Sequence, residues 1–204
     1  MSAQPQPRLT PEQYLELDRG SELRNDYYRG TMYPTGRPIV HQIGAISHAM
    51  VISNLIFAIR RADSTNSLVS SATAGVRVPT EGVSVHPDIV VVCGEPQYAD
   101  NRKDTLANPI LVAEVLSPST EAYDRGFKSV QYRTLESLQE YVLVSQNEPR
   151  VEVFYRQPAG NWLLTESAGL DASCTLESLA CTLRLQDIYS QVAFAPEEAA
   201  PFSE

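Results

Sequence analysis

The chain of 204 residues is poor in the residues that build several common kinds of site. It contains three cysteines, an odd number, with no C-x-x-C pair and no accompanying cluster of histidines. This spacing argues against a disulfide framework. We therefore expect Cys93, Cys174 and Cys181 to be reduced thiols in the core of a cytoplasmic protein.

Long apolar runs are also missing. No stretch is apolar over the roughly 20 residues that a membrane-spanning helix needs, and residues 1–8 lack the apolar segment of a secretion signal. We therefore expect no membrane association and no export.

Positive charge is scarce as well, since 16 Lys and Arg residues stand against 25 Asp and Glu residues, for a net charge of −9. This balance argues against a surface that is positively charged throughout and binds nucleic acid at any point. Any contact with DNA must be local, at clusters such as Arg60-Arg61, Arg102-Lys103, or Arg125 with Lys128.

Apolar residues make up 43% of the chain, enough for one globular domain. We place this domain at residues 9–192, between a polar tail at 1–8 and an acidic, mobile tail at 193–204. The periodicity predicts, in chain order, a helix at 10–20, two strands within 22–34 joined at Gly30, a helix at 40–62, strands at 67–78, 83–92 and 110–116, a helix at 121–136, a strand at 140–144, a hairpin of 151–155 with 161–164, and a short helix near 183–189.

Two of the predicted strands carry a carboxylate in apolar surroundings. Asp88 precedes the run 89–92, and Glu114 lies inside the run 110–116; both runs are continuously apolar, which is typical of strands covered on both faces. We therefore expect a central sheet flanked by helices. A buried carboxylate is costly without a partner, and if the two strands are neighbours, Asp88 and Glu114 come close together.

A divalent cation between the two carboxylates would keep both ionised. Hard oxygen ligands favour Mg²⁺ or Mn²⁺, and such a pair suits phosphodiester hydrolysis. Two other interpretations stay open: Asp88 as a turn residue at the start of a strand, and Glu114 as a core glutamate paired with an arginine.

Lys128 is the third residue of interest. Asp124, Lys128 and Tyr132 are spaced i, i+4 and i+8 and share one face of the predicted helix. A lysine that reaches from this helix to the strand ends could orient the attacking water or stabilise the phosphate. The alternative is an ordinary exposed ion pair between Asp124 and Lys128.

The longest motif of the chain resembles a known family. Residues 114–133 read EVLSPSTEAYDRGFKSVQYR, and residues 137–144 read SLQEYVLV. This pattern is similar to that of the Uma2 family of endonucleases, in the restriction-endonuclease-like PD-(D/E)xK superfamily, and the resemblance runs from about Leu9 to Tyr189. It implies an α/β fold with a central mixed β-sheet flanked by helices, to which we add a C-terminal β-hairpin.

The resemblance also implies roles for single residues. Asp88 matches the metal-binding aspartate, Glu114 matches the second acid, and the carbonyl of Val115 would complete the ligands. The superfamily usually has a lysine two residues after that acid, but Leu116 stands there, and Lys128 would fill its place from the following helix.

Four further residues are expected to assist. Asp26 matches a metal-contacting position at which the family more often has glutamate. His48 matches a histidine common in the family and is expected, with Arg125 and Tyr132, to contact the substrate, although a lone histidine on such a helix is as often an ordinary surface group.

The sequence thus predicts a Mg²⁺- or Mn²⁺-dependent endonuclease that acts on DNA, without an organic cofactor and as a homodimer. The acidic charge motivates an alternative, a dimeric nucleic-acid-binding or scaffold protein of the same fold that does not cleave. A glycoside hydrolase using the two acids is a third possibility, but it leaves Lys128 unexplained.

Overall fold

A computed structural model of the chain describes residues 8–21, 23–38, 46–71, 74–78 and 82–194. Its helices are α1 (Pro11–Arg19), α2 (Ile46–Ala62), α3 (Glu121–Tyr123), α4 (Ser129–Tyr132) and α5 (Leu185–Ile188), with a π-helical turn at Asp124–Lys128 and a 3₁₀ turn at Glu177–Leu179. Its strands are β1 (Leu23–Tyr28), β2 (Thr31–Pro38), β3 (Leu68–Ser71), β4 (Gly75–Val78), β5 (Val83–Val85), β6 (Ile89–Val92), β7 (Thr105–Leu106), β8 (Leu111–Leu116), β9 (Glu140–Ser145), β10 (Arg150–Arg156), β11 (Trp162–Ala168), β12 (Ser173–Leu176) and β13 (Cys181–Arg184).

The first helix begins where its capping residues predict. The Gln13 N–H donates to the Thr10 hydroxyl at 3.2 Å, and the Thr10 N–H donates to the Gln13 side chain at 2.8 Å, which closes a capping box. Pro11 opens the helix, Gly20 ends it, and Gly30 turns the following β1–β2 hairpin with a φ of 92°. These predicted elements are confirmed.

The strands form two larger sheets and one pair. The central sheet has the order β11-β10-β9-β8-β6-β3, in which β8 and β9 are parallel and the other neighbours antiparallel. A second sheet has the order β2-β1-β5-β4-β7, and β12 pairs with β13. The predicted α/β fold, with its mixed central sheet and the β10–β11 hairpin, is confirmed.

Alternate residues of β8 face two different cores. Ala113 and Val115 pack on the side covered by α2 and α5, whereas Val112 and Leu116 pack against β4 and β5 of the second sheet. Burying one such aliphatic side chain stabilises the fold by about 1.5–3 kcal/mol, so both cores hold the strand in register. Glu114 alternates with Val112 and Leu116, and its side chain therefore points between the two sheets.

The long strands predicted at 67–78 and 83–92 are each divided between the sheets, so this prediction was wrong. β3 and β6 belong to the central sheet, whereas β4 and β5 belong to the second one. The chain passes from β5 to β6 through His86, Pro87 and Asp88. Strand pairing is interrupted there because proline has no N–H for a ladder hydrogen bond. This crossing puts Asp88 at the start of β6.

Other boundaries differ less. The helix predicted at 121–136 ends at Tyr132 and contains the π-helical turn, and the short strands β7, β12 and β13 were not predicted. Residues 40–45 of the helix predicted at 40–62, and most of both predicted tails, lie outside the described residues.

All three cysteines are free thiols, as predicted. Burial raises the pKa of Cys174 to about 12 and that of Cys181 to about 11. Within the described part of the chain, no helix is both long and apolar enough to cross a membrane.

Candidate active site

Asp88 and Glu114 lie opposite each other on neighbouring strands. The antiparallel register pairs Ile89 with Ala113, and continuing it by one residue sets Asp88, directly before β6, opposite Glu114. The Asp88 N–H donates to Glu114 Oε2 at 3.3 Å, and the Val115 N–H donates to Asp88 Oδ2 at 2.9 Å. Asp88 is 2% exposed and Glu114 is fully buried, so two carboxylates are held together in the interior.

Lys128 approaches Glu114 from the helical segment that follows β8. Its Nζ lies 2.8 Å from Glu114 Oε1 and 3.1 Å from Asp124 Oδ1, and it donates to the His86 carbonyl at 3.2 Å. The side chain is only 3% exposed, which excludes an ordinary exposed ion pair with Asp124. Lys128 ends the π-helical turn, an irregularity that often occurs at functional sites.

The charge on Glu114 is opposed by its surroundings. Burial raises the pKa of the Glu114 carboxyl to about 8; the Lys128 ammonium counteracts this effect, and the carboxylates of Asp124 and Asp88 add to it. More positive charge beside these three acids would therefore favour the ionised state of Glu114.

Tyr132 supports the site through a hydrogen bond to Glu114. Its hydroxyl donates to Glu114 Oε1 at 3.2 Å, its ring is fully buried, and burial raises the pKa of its hydroxyl well above the usual value. The predicted contact of Tyr132 with substrate does not fit this geometry, because the ring has no exposed surface.

His48 reaches the site from the first turn of α2. Its Nε2 lies 3.7 Å from Asp88 Oδ2, and its Nδ1 lies 3.2 Å from Oε1 of Gln146, a residue just beyond β9. The imidazole is about 20% exposed, so it borders both the carboxylates and solvent.

Asp26 lies in a second polar group beside the carboxylate pair. Its Oδ1 accepts from the His86 N–H at 3.1 Å, and its Oδ2 accepts from the Tyr123 hydroxyl at 2.9 Å. The His86 ring stands between Asp26 and Asp18, with nitrogen–oxygen distances of 3.6 and 3.5 Å. Asp26 thus contacts the His86 N–H and the Tyr123 hydroxyl, and its metal contact stays a prediction.

Arg125 is engaged by two acids. Its guanidinium donates to both oxygens of Glu152 at 2.6 and 2.7 Å and to Glu121 at 2.7 Å. The side chain is 37% exposed, yet its donors already face carboxylates, and a phosphate would have to displace one of them.

The residues fit a hard divalent cation. Among the described residues, no three His, Cys, Asp or Glu side chains are grouped as metal ligands. Mg²⁺ does not need such a cage, since it keeps several waters and is commonly held by one or two carboxylates with a substrate phosphate. Asp88 and Glu114, with the carbonyl of Val115, would hold it.

Sequence reasoning missed three groups that border the site: the backbone carbonyl of His86, the hydroxyl of Tyr123 and the amide of Gln146. The position of His86 next to Pro87-Asp88 is a signal that could have found it. Tyr123 falls within the helix predicted at 121–136, and nothing in the sequence pattern marks it or Gln146 as a site residue.

Comparison with known proteins identifies the family. A family model described as "Uma2: Putative restriction endonuclease" matches residues 11–186, which is most of the chain. The chain belongs to the Uma2 family. The resemblance stated from the sequence motif is thereby confirmed.

Two relatives of this chain come from Synechocystis sp. (strain ATCC 27184 / PCC 6803 / Kazusa). "Uncharacterized protein slr1290" is 30% identical over 194 residues, covering 93% of this chain and 96% of the relative. "Uncharacterized protein sll1609" is 42% identical over 87 residues, covering 43% of this chain and 49% of the relative.

The fold of this Uma2 protein is shared with a solved structure, described as a putative nuclease belonging to DUF820 from Anabaena variabilis ATCC 29413. The TM-score is 0.67 at 18% identity, and the match covers 91% of this chain and 99% of the other. The chain therefore shares the fold of this putative nuclease.

Proposed function

We propose that this Uma2 protein is an endonuclease that hydrolyses DNA phosphodiester bonds with Mg²⁺ or Mn²⁺. One observation carries the proposal: two buried carboxylates, Asp88 and Glu114, face each other on adjacent strands, and Lys128 Nζ lies 2.8 Å from Glu114. This is the combination of two acids and a lysine that the family resemblance implies.

When bound, the cation would activate water for attack and neutralise charge on the phosphate. The chain's own contribution is to fix the carboxylates in advance. The Val115 N–H holds Asp88 and the Asp88 N–H holds Glu114, so neither acid has to reorganise when substrate arrives.

Lys128 is the group that we place against the reacting phosphate or the attacking water. Its contacts with Glu114 and the His86 carbonyl fix the position of Nζ. In this dry position an ammonium donor stabilises developing negative charge more strongly than it would in water.

Tyr132 and Asp26 act indirectly in this proposal. Tyr132 orients Glu114 through its hydroxyl, and Asp26 fixes the His86 backbone whose carbonyl accepts from Lys128. Arg125 would contact the DNA backbone only by exchanging one of its carboxylate partners.

A homodimer accompanies the proposal. With a net charge of −9, two subunits that face one DNA would together present more local positive charge than one subunit alone. Sedimentation should show a particle of twice 22.5 kDa; a particle of 22.5 kDa alone contradicts the dimer.

The test of activity is cleavage of supercoiled plasmid and branched DNA with Mg²⁺, with Mn²⁺, and with EDTA. We expect cleavage only with metal, and loss of more than about 100-fold in Asp88→Asn and Glu114→Gln, because each removes a charge that the cation requires.

Glu140→Gln is the matched control. Glu140 is also fully buried and lies on the neighbouring strand β9, but its partners belong to the 3₁₀ turn at the far side of the sheet. The Glu140→Gln variant should cleave DNA as the wild type does. Metal-dependent binding of DNA without cleavage by the wild type would favour the scaffold alternative, and cleavage unchanged in both site variants would refute the proposal.

A further inference from the structure

Gln146 contacts His48 from a part of the chain that the family motif does not include. It follows β9, and the parallel pairing of Leu116 with Ser145 brings the C-terminal ends of β8 and β9 side by side. Asp88 directly precedes the antiparallel strand β6 and lies next to these strand ends. The imidazole of His48 thus stands between the Gln146 amide and the Asp88 carboxylate.

The two ring nitrogens of His48 meet different partners. Nδ1 lies 3.2 Å from Gln146 Oε1, within hydrogen-bond range, and an amide oxygen can only accept. This contact therefore favours the tautomer that carries the hydrogen on Nδ1. Nε2 lies 3.7 Å from Asp88 Oδ2, too far for a direct hydrogen bond.

In a neutral imidazole one nitrogen donates and the other accepts, and the partner of one nitrogen decides the role of the other. With hydrogen on Nδ1, the Nε2 lone pair faces the space next to Asp88. Asp88 Oδ2 is itself fixed by the Val115 N–H at 2.9 Å, so both acceptors are held in place.

We propose that Gln146 is a positioning residue that holds His48 in the Nδ1–H tautomer, so that Nε2 accepts a hydrogen bond from the attacking water beside Asp88. The role rests on the proposed nuclease function. Gln146 touches neither metal nor substrate; it acts through the ring of His48. The amide would orient the His48 ring, as outer partners of site histidines do, and the ring would orient the water.

The direct test is long-range ¹H–¹⁵N NMR of the full chain at a pH where imidazole is neutral. The chain has three histidines, and His48→Gln assigns the signal of His48. We expect hydrogen on Nδ1 in the wild type, redistribution towards Nε2 in Gln146→Leu, and return to Nδ1 in Gln146→Glu, which restores an acceptor oxygen. Gln139→Leu, at the opposite end of β9, is the control and should leave the signal unchanged.

The second measurement compares the effect of each variant on kcat with its effect on KM for DNA cleavage. Gln146→Leu should lower kcat by about 10–100-fold with little change in KM, and Gln146→Glu should recover most of it. Hydrogen on Nε2 in the wild type, or an unchanged tautomer or kcat in Gln146→Leu, would overturn the inference. The NMR result needs no cleavage: the predicted tautomer in a chain that cuts no DNA refutes the proposed function and leaves the Gln146–His48 arrangement intact.

Discussion

Two glutamates on neighbouring strands, Glu114 on β8 and Glu140 on β9, are both fully buried but are held in opposite ways. Glu140 accepts from the N–H groups of Glu177 and Ser178 and from the Ser178 hydroxyl, which are all neutral donors. Glu114 instead lies between Lys128 and two further carboxylates. The comparison teaches that burial alone does not mark a functional acid.

The two glutamates also face opposite sides of the central sheet. Glu114 points between the two sheets, whereas Glu140 alternates with Val142 and Val144 in the core beneath α2. Burial raises the pKa of both carboxyls; at Glu114 the carboxylates of Asp124 and Asp88 add to the rise, whereas at Glu140 the added like charge is that of Glu177 and neutral donors oppose the rise. We therefore read Glu140 as a cap for the 3₁₀ turn and Glu114 as a site residue.

Removing the charged partner of Glu114 should give the largest effect. Lys128→Met should reduce kcat for DNA cleavage by about 10²–10³-fold, the usual loss when one preorganised donor to the transition state is deleted. Calorimetry should show that Mn²⁺ still binds, since Asp88 and Glu114 remain. Arg184→Met, which removes a cation that is paired with Asp187 on the surface, is the control, and equal losses in both variants would contradict the assignment.

Removing Glu140 should act on stability and leave catalysis alone. Glu140→Ala deletes the acceptor of two backbone N–H groups and should lower the free energy of unfolding by about 1–3 kcal/mol. Urea denaturation measures this change. The kcat of the folded fraction should equal that of the wild type, and a selective loss of kcat would show that the two glutamates are not as different as proposed.

How far the sequence predicts this site depends on whether neighbouring residues or distant ones define it. Asp88 and Glu114 could be found because each lies in an apolar strand, and the strand period fixes their faces. Lys128 followed from helical spacing and the family motif. Pro87 is a local signal for a break within 83–92, since proline cannot donate to a ladder. Which sheet each half joins is decided by pairing with distant strands and has no such signal.

The roles of Asp26 and Tyr132 were harder to predict for a related reason. Both were identified as site residues, but which atoms they contact depends on the packing of the second sheet and of the π-helical turn. Gln146 was missed because its partner His48 lies 98 positions away in the chain.

A smaller effect should follow from Tyr132→Phe, which removes one hydrogen bond to Glu114 and keeps the packing of the ring. We expect about 1 kcal/mol less stability by urea denaturation and a modest fall in kcat. Tyr141→Phe, whose hydroxyl donates to the Asp124 carbonyl, is the matched control and should change stability but not kcat. A larger kcat loss in the control would contradict the supporting role of Tyr132.

The smallest effect concerns an ion pair beside the site. The Arg125 guanidinium holds the pKa of Glu152 below its usual value, so the pair stabilises the folded state above the ordinary glutamate pKa of about 4.3 and loses this contribution as pH falls through the lowered value. Glu152→Gln should therefore be less stable than the wild type at pH 7, and the difference should shrink in acid. Urea denaturation at pH 7 and in acid measures this difference in stability. A difference that grows in acid would contradict the expected pH dependence.

The central claim is that Asp88 and Glu114 share a divalent cation, and a crystal soaked in Mn²⁺ tests it most directly. The account predicts an anomalous difference peak within coordinating distance of carboxylate oxygens of both residues, and its loss in Glu114→Gln but not in Glu140→Gln. A soaked wild-type crystal with no peak between the two carboxylates, and with Lys128 still paired to Glu114, would contradict it.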